Sequence, residues 1–214
     1  MKTILRRELE ADPTLYKEVA QVLEKGGLVC HPAPSGYKLV ADLGSPDAIT
    51  ALIQAKRRVG NAPSLVFVPD ASWVDKVAEN VTPEARKLMR AFWPGPVTLL
   101  VNANPDLHPK VRKPLTKAKG WLGVRMPGDP LCQSVVRAFG RPLLVSSANL
   151  SSKHGAHSLA QVKKNFGNTV TLLIDAGDIT PRENSTLVDI TSETPTVVRA
   201  GAISEERIRE TLGR

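Results

Sequence analysis

Eight residues carry the chemistry that this sequence offers: Ser35, Lys56, Arg58, Arg125, Ser147, Asn149, Ser185 and Arg199. They are scattered along the chain, and each falls at or near the end of an expected strand or helix. Hydroxyl and guanidinium groups suit polyphosphates and carboxylates, because arginine makes bidentate, charge-assisted contacts with both. A site built from them works by holding anions together and screening their charge, with no covalent nucleophile. Other chemistries lack their residues. Neither common phosphate loop, Gly-x-x-x-x-Gly-Lys-Ser/Thr or Gly-x-Gly-x-x-Gly, is present. The histidines include no helical metal pair, no nucleophile elbow appears, and no dedicated metal site is expected.

The elements that must position these groups follow from hydrophobic pattern and punctuation. The stretch Leu143-Leu144-Val145 reads as a buried strand that ends in Ser146-Ser147-Ala148-Asn149. Compact donors and acceptors then stand at a strand's carboxyl end, where open α/β sheets bind ligands. Before it, a helix is expected over 12–25, capped by Asp12 and closed by Gly26-Gly27, then a strand at 28–31 and a rigid loop from Pro32 to Lys38. A helix from Ser45 runs into Lys56-Arg57-Arg58, and cations at a helix end already suit its dipole. Strands are expected at 64–68, 97–101, 122–126, 170–174, 187–190 and 196–199, and helices over 71–79, 82–92, 129–139, from a cap at Ser158 to 166, and from Ser204. Residues 104–120, rich in lysine and proline, read as a basic surface loop. Interleaved strands and helices argue for an α/β fold with a mixed sheet in a single domain spanning 1–214.

The chain has 214 residues, 42% of them hydrophobic, and 29 basic against 21 acidic side chains give a net charge of +8. Such a balance favours anionic partners: nucleotides, phosphates or RNA. No run reaches membrane-span length, and Cys30 and Cys132 are too few and too far apart for a disulfide framework. A cytoplasmic protein with no membrane partner is expected.

A series of pieces, in order along the chain, resembles the YrdC-like family, the threonylcarbamoyl-AMP synthases of the TsaC type. His31-Pro32 to Leu39 stands where that family has Pro-Thr-Asp/Glu-Thr-Val-Tyr-Gly-Leu, and Lys56-Arg57-Arg58 with Pro63-Ser64-Leu65 where it has Lys-Gly-Arg and Pro-Leu. Trp93-Pro94-Gly95-Pro96-Val97-Thr98 is nearly verbatim, as are Gly123-Val124-Arg125-Met126-Pro127 and Ser147-Ala148-Asn149-Leu150-Ser151. Ser185-Thr186-Leu187-Val188-Asp189 and Arg199-Ala200-Gly201 match the closing motifs. The resemblance implies an open twisted mixed sheet flanked by helices, with a basic concave face. It implies synthesis of L-threonylcarbamoyladenylate and pyrophosphate from L-threonine, bicarbonate and ATP, for threonylcarbamoylation of adenosine-37 in tRNA by a downstream transferase. Lys56 and Arg58 would be catalytic; with Ser147, Asn149 and Arg199 they would hold ATP. Ser35, Arg125 and Ser185 would surround threonine, and Mg²⁺ would arrive with ATP.

Departures concentrate in the first loop: Ala33 and Pro34 replace a hydroxyl and an acid, and Lys38 a glycine. Arg57 and Val59 flank Arg58 in place of glycine and proline, Phe67 stands where some members have histidine, Trp121 where some have threonine, and Ser152 where glycine follows Leu-Ser. Two other readings remain open on these residues. One is an RNA- or ribosome-binding protein of this fold that has lost synthesis and binds RNA through its basic face. The other is a paralogue with a different amine or acid substrate.

Overall fold

The computed structural model describes residues 1–56, 64–116, 120–150 and 157–214. In chain order the elements are β1 (Lys2–Leu5), α1 (Arg6–Ala11), α2 (Leu15–Glu24), β2 (Val29–His31), β3 (Lys38–Asp42), α3 (Pro46–Ala55) and β4 (Ser64–Phe67). A 3₁₀ turn (Ala71–Trp73) then leads into α4 (Val74–Val77), α5 (Pro83–Phe92), β5 (Val97–Asn102), α6 (Pro109–Thr116), β6 (Trp121–Arg125), α7 (Pro130–Phe139) and β7 (Leu143–Ser147). The last elements are α8 (Leu159–Phe166), β8 (Leu172–Asp175), β9 (Thr186–Asp189), β10 (Thr196–Arg199) and α9 (Glu205–Leu212). The fold is mixed α/β. Its contacts gather into two compact units, each made of two chain segments: Met1–Gly60 with Asp129–Arg182, and Asn61–Gly128 with Glu183–Arg214.

In the first unit the strand order is β1-β8-β2-β3-β7. β1, β8 and β2 run parallel, while β3 is antiparallel to both β2 and β7. Leu172, Leu173 and Ile174 are all buried, as are Leu143, Leu144 and Val145. Consecutive buried positions mean that both faces of these strands are covered, which is why they read as unbroken apolar runs. Part of the cover is α2, through Val19, Ala20 and Leu23, packed against α7, through Val135, Val136 and Phe139. In the second unit the order is β4-β6-β5-β9-β10, with β4 parallel to β6, β5 parallel to β9, and the β5–β6 and β9–β10 pairs antiparallel.

Several helix starts are where the sequence places them. Ser45, Thr82, Asp129 and Ser204 each accept a backbone N–H of the first turn, at 3.0–3.3 Å. Other expectations need correction. Asp12 caps no long helix: its Oδ1 takes the Thr14 N–H at 2.9 Å and hydroxyl at 2.6 Å, a local turn, and α2 starts at Leu15. Ser158 stands at the start of α8 but its side chain makes no cap bond; Asp178 Oδ1 accepts the Leu159 N–H instead, at 2.9 Å. The segment 71–79 is a 3₁₀ turn and one α-turn, not a continuous helix. The basic stretch contains a helix, α6, because Val111 and Leu115, four apart, bury one face despite Pro114. No helix among the described residues is long and apolar enough to cross a membrane.

His31 closes β2 inside the first unit, with 1% of its surface exposed. Its Nδ1 donates to Pro32 O at 2.8 Å, Cys132 Sγ lies 3.9 Å from the same nitrogen, and Nε2 is buried without a hydrogen-bond partner. Burial lowers its pKa to about 4; the Pro32 carbonyl and Asp129 oppose that fall, and Lys38 adds to it. The folded chain therefore refuses a proton that the unfolded chain accepts near the ordinary histidine value. Stability is complete above about pH 6.5 and drains away as pH falls toward 4, by roughly 3 kcal/mol for a shift of this size. Urea unfolding across that range is expected to show the loss, and His31→Gln to flatten it.

Candidate functional site

In the first unit, β7 ends in a turn that is unusually rich in internal bonds. Ser147 pairs in register with Lys38 of β3, and Ala148 N–H continues the contact to Tyr37 O at 2.8 Å. Asn149 N–H then folds back on Ser147 O at 2.9 Å, and Asn149 Oδ1 accepts from the Ser147 hydroxyl. Lys56, the residue that ends α3, reaches into this turn while only 5% exposed. Its Nζ donates to Ser147 O at 2.5 Å, to Asn149 Oδ1 at 3.0 Å and to Asn149 O. A buried ammonium is tolerated only where acceptors replace its water. The turn supplies three, so the lysine and the turn fix each other. Three of the expected site residues, Lys56, Ser147 and Asn149, are brought together this way.

Ser35 sits half-buried on the loop between β2 and β3. That loop is stapled along its length. Gly36 N–H bonds Ala33 O at 2.9 Å, and Arg182 N–H bonds Pro34 O at 2.7 Å. The Tyr37 hydroxyl donates to Gly177 O at 2.8 Å and accepts from Ala176 N–H at 3.0 Å. Gly36 has φ 102°, a conformation that a side chain strains, so the glycine is required by the loop's path.

The second unit carries Arg125, Ser185 and Arg199. Arg125 ends β6, and its guanidinium lies 4.8 Å over the ring of Phe67, its register partner on β4. Phe67 is completely buried, so a cation–π contact holds this arginine. Ser185 Oγ lies 2.9 Å from Thr98 Oγ1, and Arg199 Nη2 donates to Ser185 O at 2.8 Å, with Oγ at 3.5 Å. A register shift between Val197 and Arg199 leaves Val198 out of the ladder and brings Arg199 opposite Leu187, two residues beyond Ser185. The two closing motifs also grip each other. Thr186 Oγ1 donates to Ile203 O at 2.5 Å and accepts Ile203 N–H at 3.0 Å. A Cβ on Gly201 would lie 2.4 Å from Asn184 O, so only glycine permits that approach.

Thr98 was not among the residues chosen from sequence. The signal existed: one hydroxyl stands in the otherwise apolar buried run Val97–Val101, and it is 5% exposed. Such a group needs a partner, and that partner is 87 positions away. Arg58, with its neighbours Arg57 and Val59, and Ser152 lie outside the described residues. Among the described residues no group of three or more His, Cys, Asp or Glu side chains is placed to hold a metal ion.

The family model for Sua5, YciO and YrdC proteins, described as "Telomere recombination", matches residues 21–201. The chain belongs to the Sua5/YciO/YrdC family. Within that family it is 36% identical over 191 residues to a protein of Mycobacterium tuberculosis called a putative threonylcarbamoyl-AMP synthase, covering 89% of this chain and 86% of the relative. It is 28% identical over 207 residues to the threonylcarbamoyl-AMP synthase of Bacillus subtilis, covering 96% of this chain and 59% of that one. The crystal structure of Pyrococcus abyssi Sua5 complexed with L-threonine superposes with a TM-score of 0.84 at 25% identity, over 99% of this chain and 60% of the other. The chain thus spans about three fifths of the length of these longer family members.

Replacing Lys56 by methionine keeps the stem but removes the ammonium's bonds to Ser147 O, Asn149 O and Asn149 Oδ1. The variant should unfold at lower urea, with a loss of about 2–3 kcal/mol.

Proposed function

We propose that this chain condenses L-threonine, bicarbonate and ATP into L-threonylcarbamoyladenylate and pyrophosphate. The observation that carries this reading is the likeness to the mycobacterial synthase over nearly the full length of both chains. In the reaction the threonine amine adds to the carboxyl carbon of bicarbonate, with loss of water, to give a carbamate. A carbamate oxygen then attacks the α-phosphorus of ATP, and the bond to the β-phosphate oxygen breaks to release pyrophosphate.

Every species in that sequence is anionic or carries an anionic group. Catalysis then needs cations and hydrogen-bond donors fixed in advance, which is the kind of group this chain offers. ATP is assigned Lys56, Arg58, Ser147, Asn149 and Arg199; threonine and its carbamate are assigned Ser35, Arg125 and Ser185. Lys56 acts through the turn that it clamps, holding the Ser147 hydroxyl and the Asn149 amide in one orientation. Thr98 does the same for the Ser185 hydroxyl. Mg²⁺ comes with the nucleotide and screens its phosphates. The product is reactive, so the reading places the chain in the cytosol beside the transferase that delivers the threonylcarbamoyl group to tRNA.

Pyrophosphate release should require both threonine and bicarbonate, and omitting either should bring it to background. In the same assay Arg58→Ala should remove most turnover, since losing a desolvated charge contact to phosphate costs on the order of 2–5 kcal/mol. Thr98→Val should act differently. It removes the partner of the Ser185 hydroxyl and raises the KM for threonine several-fold, while the KM for ATP stays near that of the parent.

A further inference from the structure

A cavity of about 430 Å³ opens in the first unit at the carboxyl ends of β1, β8 and β2. None of the eight residues chosen from sequence lines it. Its charged lining residues are Arg6, Asp129, Asp178 and Arg182, two cations and two anions. Pro34, Leu131 and Ile179 supply apolar surface between them.

The two carboxylates and the Arg6 guanidinium have partners in the fold, and Arg182 is held there by its backbone. Asp129 Oδ1 accepts the Cys132 N–H at 3.0 Å, and Asp178 Oδ1 accepts the Leu159 N–H at 2.9 Å, so each carboxylate is pinned by one oxygen to the start of a helix. Arg6 is steadied through its Nε by Glu10 Oε1 at 2.7 Å, and the backbone of Arg182 is tied to Pro34 O at 2.7 Å. The balance of charge selects the ligand class. A polyphosphate or nucleic acid strand would bring its anions against two held carboxylates, at a cost of like charges in a partly enclosed space. A zwitterion meets both signs: its carboxylate suits the guanidinium fork, and its ammonium suits a carboxylate. The apolar walls favour a branched aliphatic side chain.

We propose that this cavity binds a free aliphatic α-amino acid as a second small-molecule site. The wall that contains Pro34 is the loop that presents Ser35, and Arg182 N–H bonds that same loop. Occupancy therefore sets the position of Ser35 and tunes how the chain takes threonine. This consequence rests on the threonylcarbamoyl-AMP reading, whereas the binding site does not.

The test uses the full chain without nucleotide and reads L-leucine, L-isoleucine and L-valine by saturation-transfer NMR and calorimetry. Titration runs to roughly 10 mM, where even a site of millimolar Kd is filled. At least one of the three is expected to bind. The matching amine without a carboxylate, and the matching acid without an ammonium, should bind at least about tenfold more weakly. Asp178→Asn and Arg182→Gln should each weaken the amino acid by a similar factor while leaving the circular dichroism spectrum unchanged; Ser185→Ala should not. The proposal is overturned if none of the three binds, if the amine or the acid binds as well, or if both variants bind like the parent. In a separate arm, the bound amino acid should shift the KM for threonine in pyrophosphate release, and Asp178→Asn should abolish that shift. An unchanged KM alongside confirmed binding overturns the coupling alone. A chain that makes no pyrophosphate refutes the synthase reading and leaves the NMR result to decide the site.

Discussion

One buried ammonium organises the turn that follows β7 in the first unit. Lys56 stands where α3 ends, a position that any cation favours for the sake of the helix dipole. Burial changes its meaning. Out of water, the charge must be met by oxygens, and the oxygens within reach are those of Ser147 and Asn149. The strand β7 delivers that turn, β3 holds β7 in register, and α3 delivers the lysine. Disturbing any of these three elements moves the serine hydroxyl and the asparagine amide together. A turn of Ser, Ala and Asn is ordinarily pliable; here it has one conformation because a charge depends on it.

The second unit solves the same problem without a buried charge. Ser185 is held by a hydroxyl from β5 and by a guanidinium from β10, and the bulge before Arg199 is what turns that guanidinium toward it. Gly201 then lets the chain pass close against Asn184 and Ser185. The motifs Ser-Thr-x-x-Asp and Arg-x-Gly are thus two halves of one clasp, closed through Thr186 and Ile203. Phe67 fits the same logic: an aromatic face beneath Arg125 holds the arginine through its π cloud.

How much of this was legible depended on how local its cause was. The buried run Leu143–Val145 and the caps at Ser45, Thr82, Asp129 and Ser204 are encoded within a few residues, and each was readable. β1, α1 and β3 were not. Lys2–Leu5 is a strand only because β8 lies beside it, and Lys38–Asp42 follows a loop whose prolines and glycine masked the strand behind it. α6 was hidden by its own charges, since two buried apolar side chains in eight residues outweigh them only once a core is present. The grouping of Lys56, Ser147 and Asn149 could be suspected from residue type, but the donor and acceptors are more than 90 positions apart. Thr98 shows the limit most clearly: its type and burial were readable, its partner was not.

The division of each unit between two distant segments bears on synthesis. β1 is made well before its partner β8, which follows about 170 positions later. Until then β2 keeps an open edge, and β3 waits about 100 positions for β7 to cover its own. Contacts this remote in sequence close slowly, and a nascent chain that waits with bare strands invites pairing with its neighbours on the same messenger. The topology of the first unit thus leaves its parallel strands unpaired through most of translation.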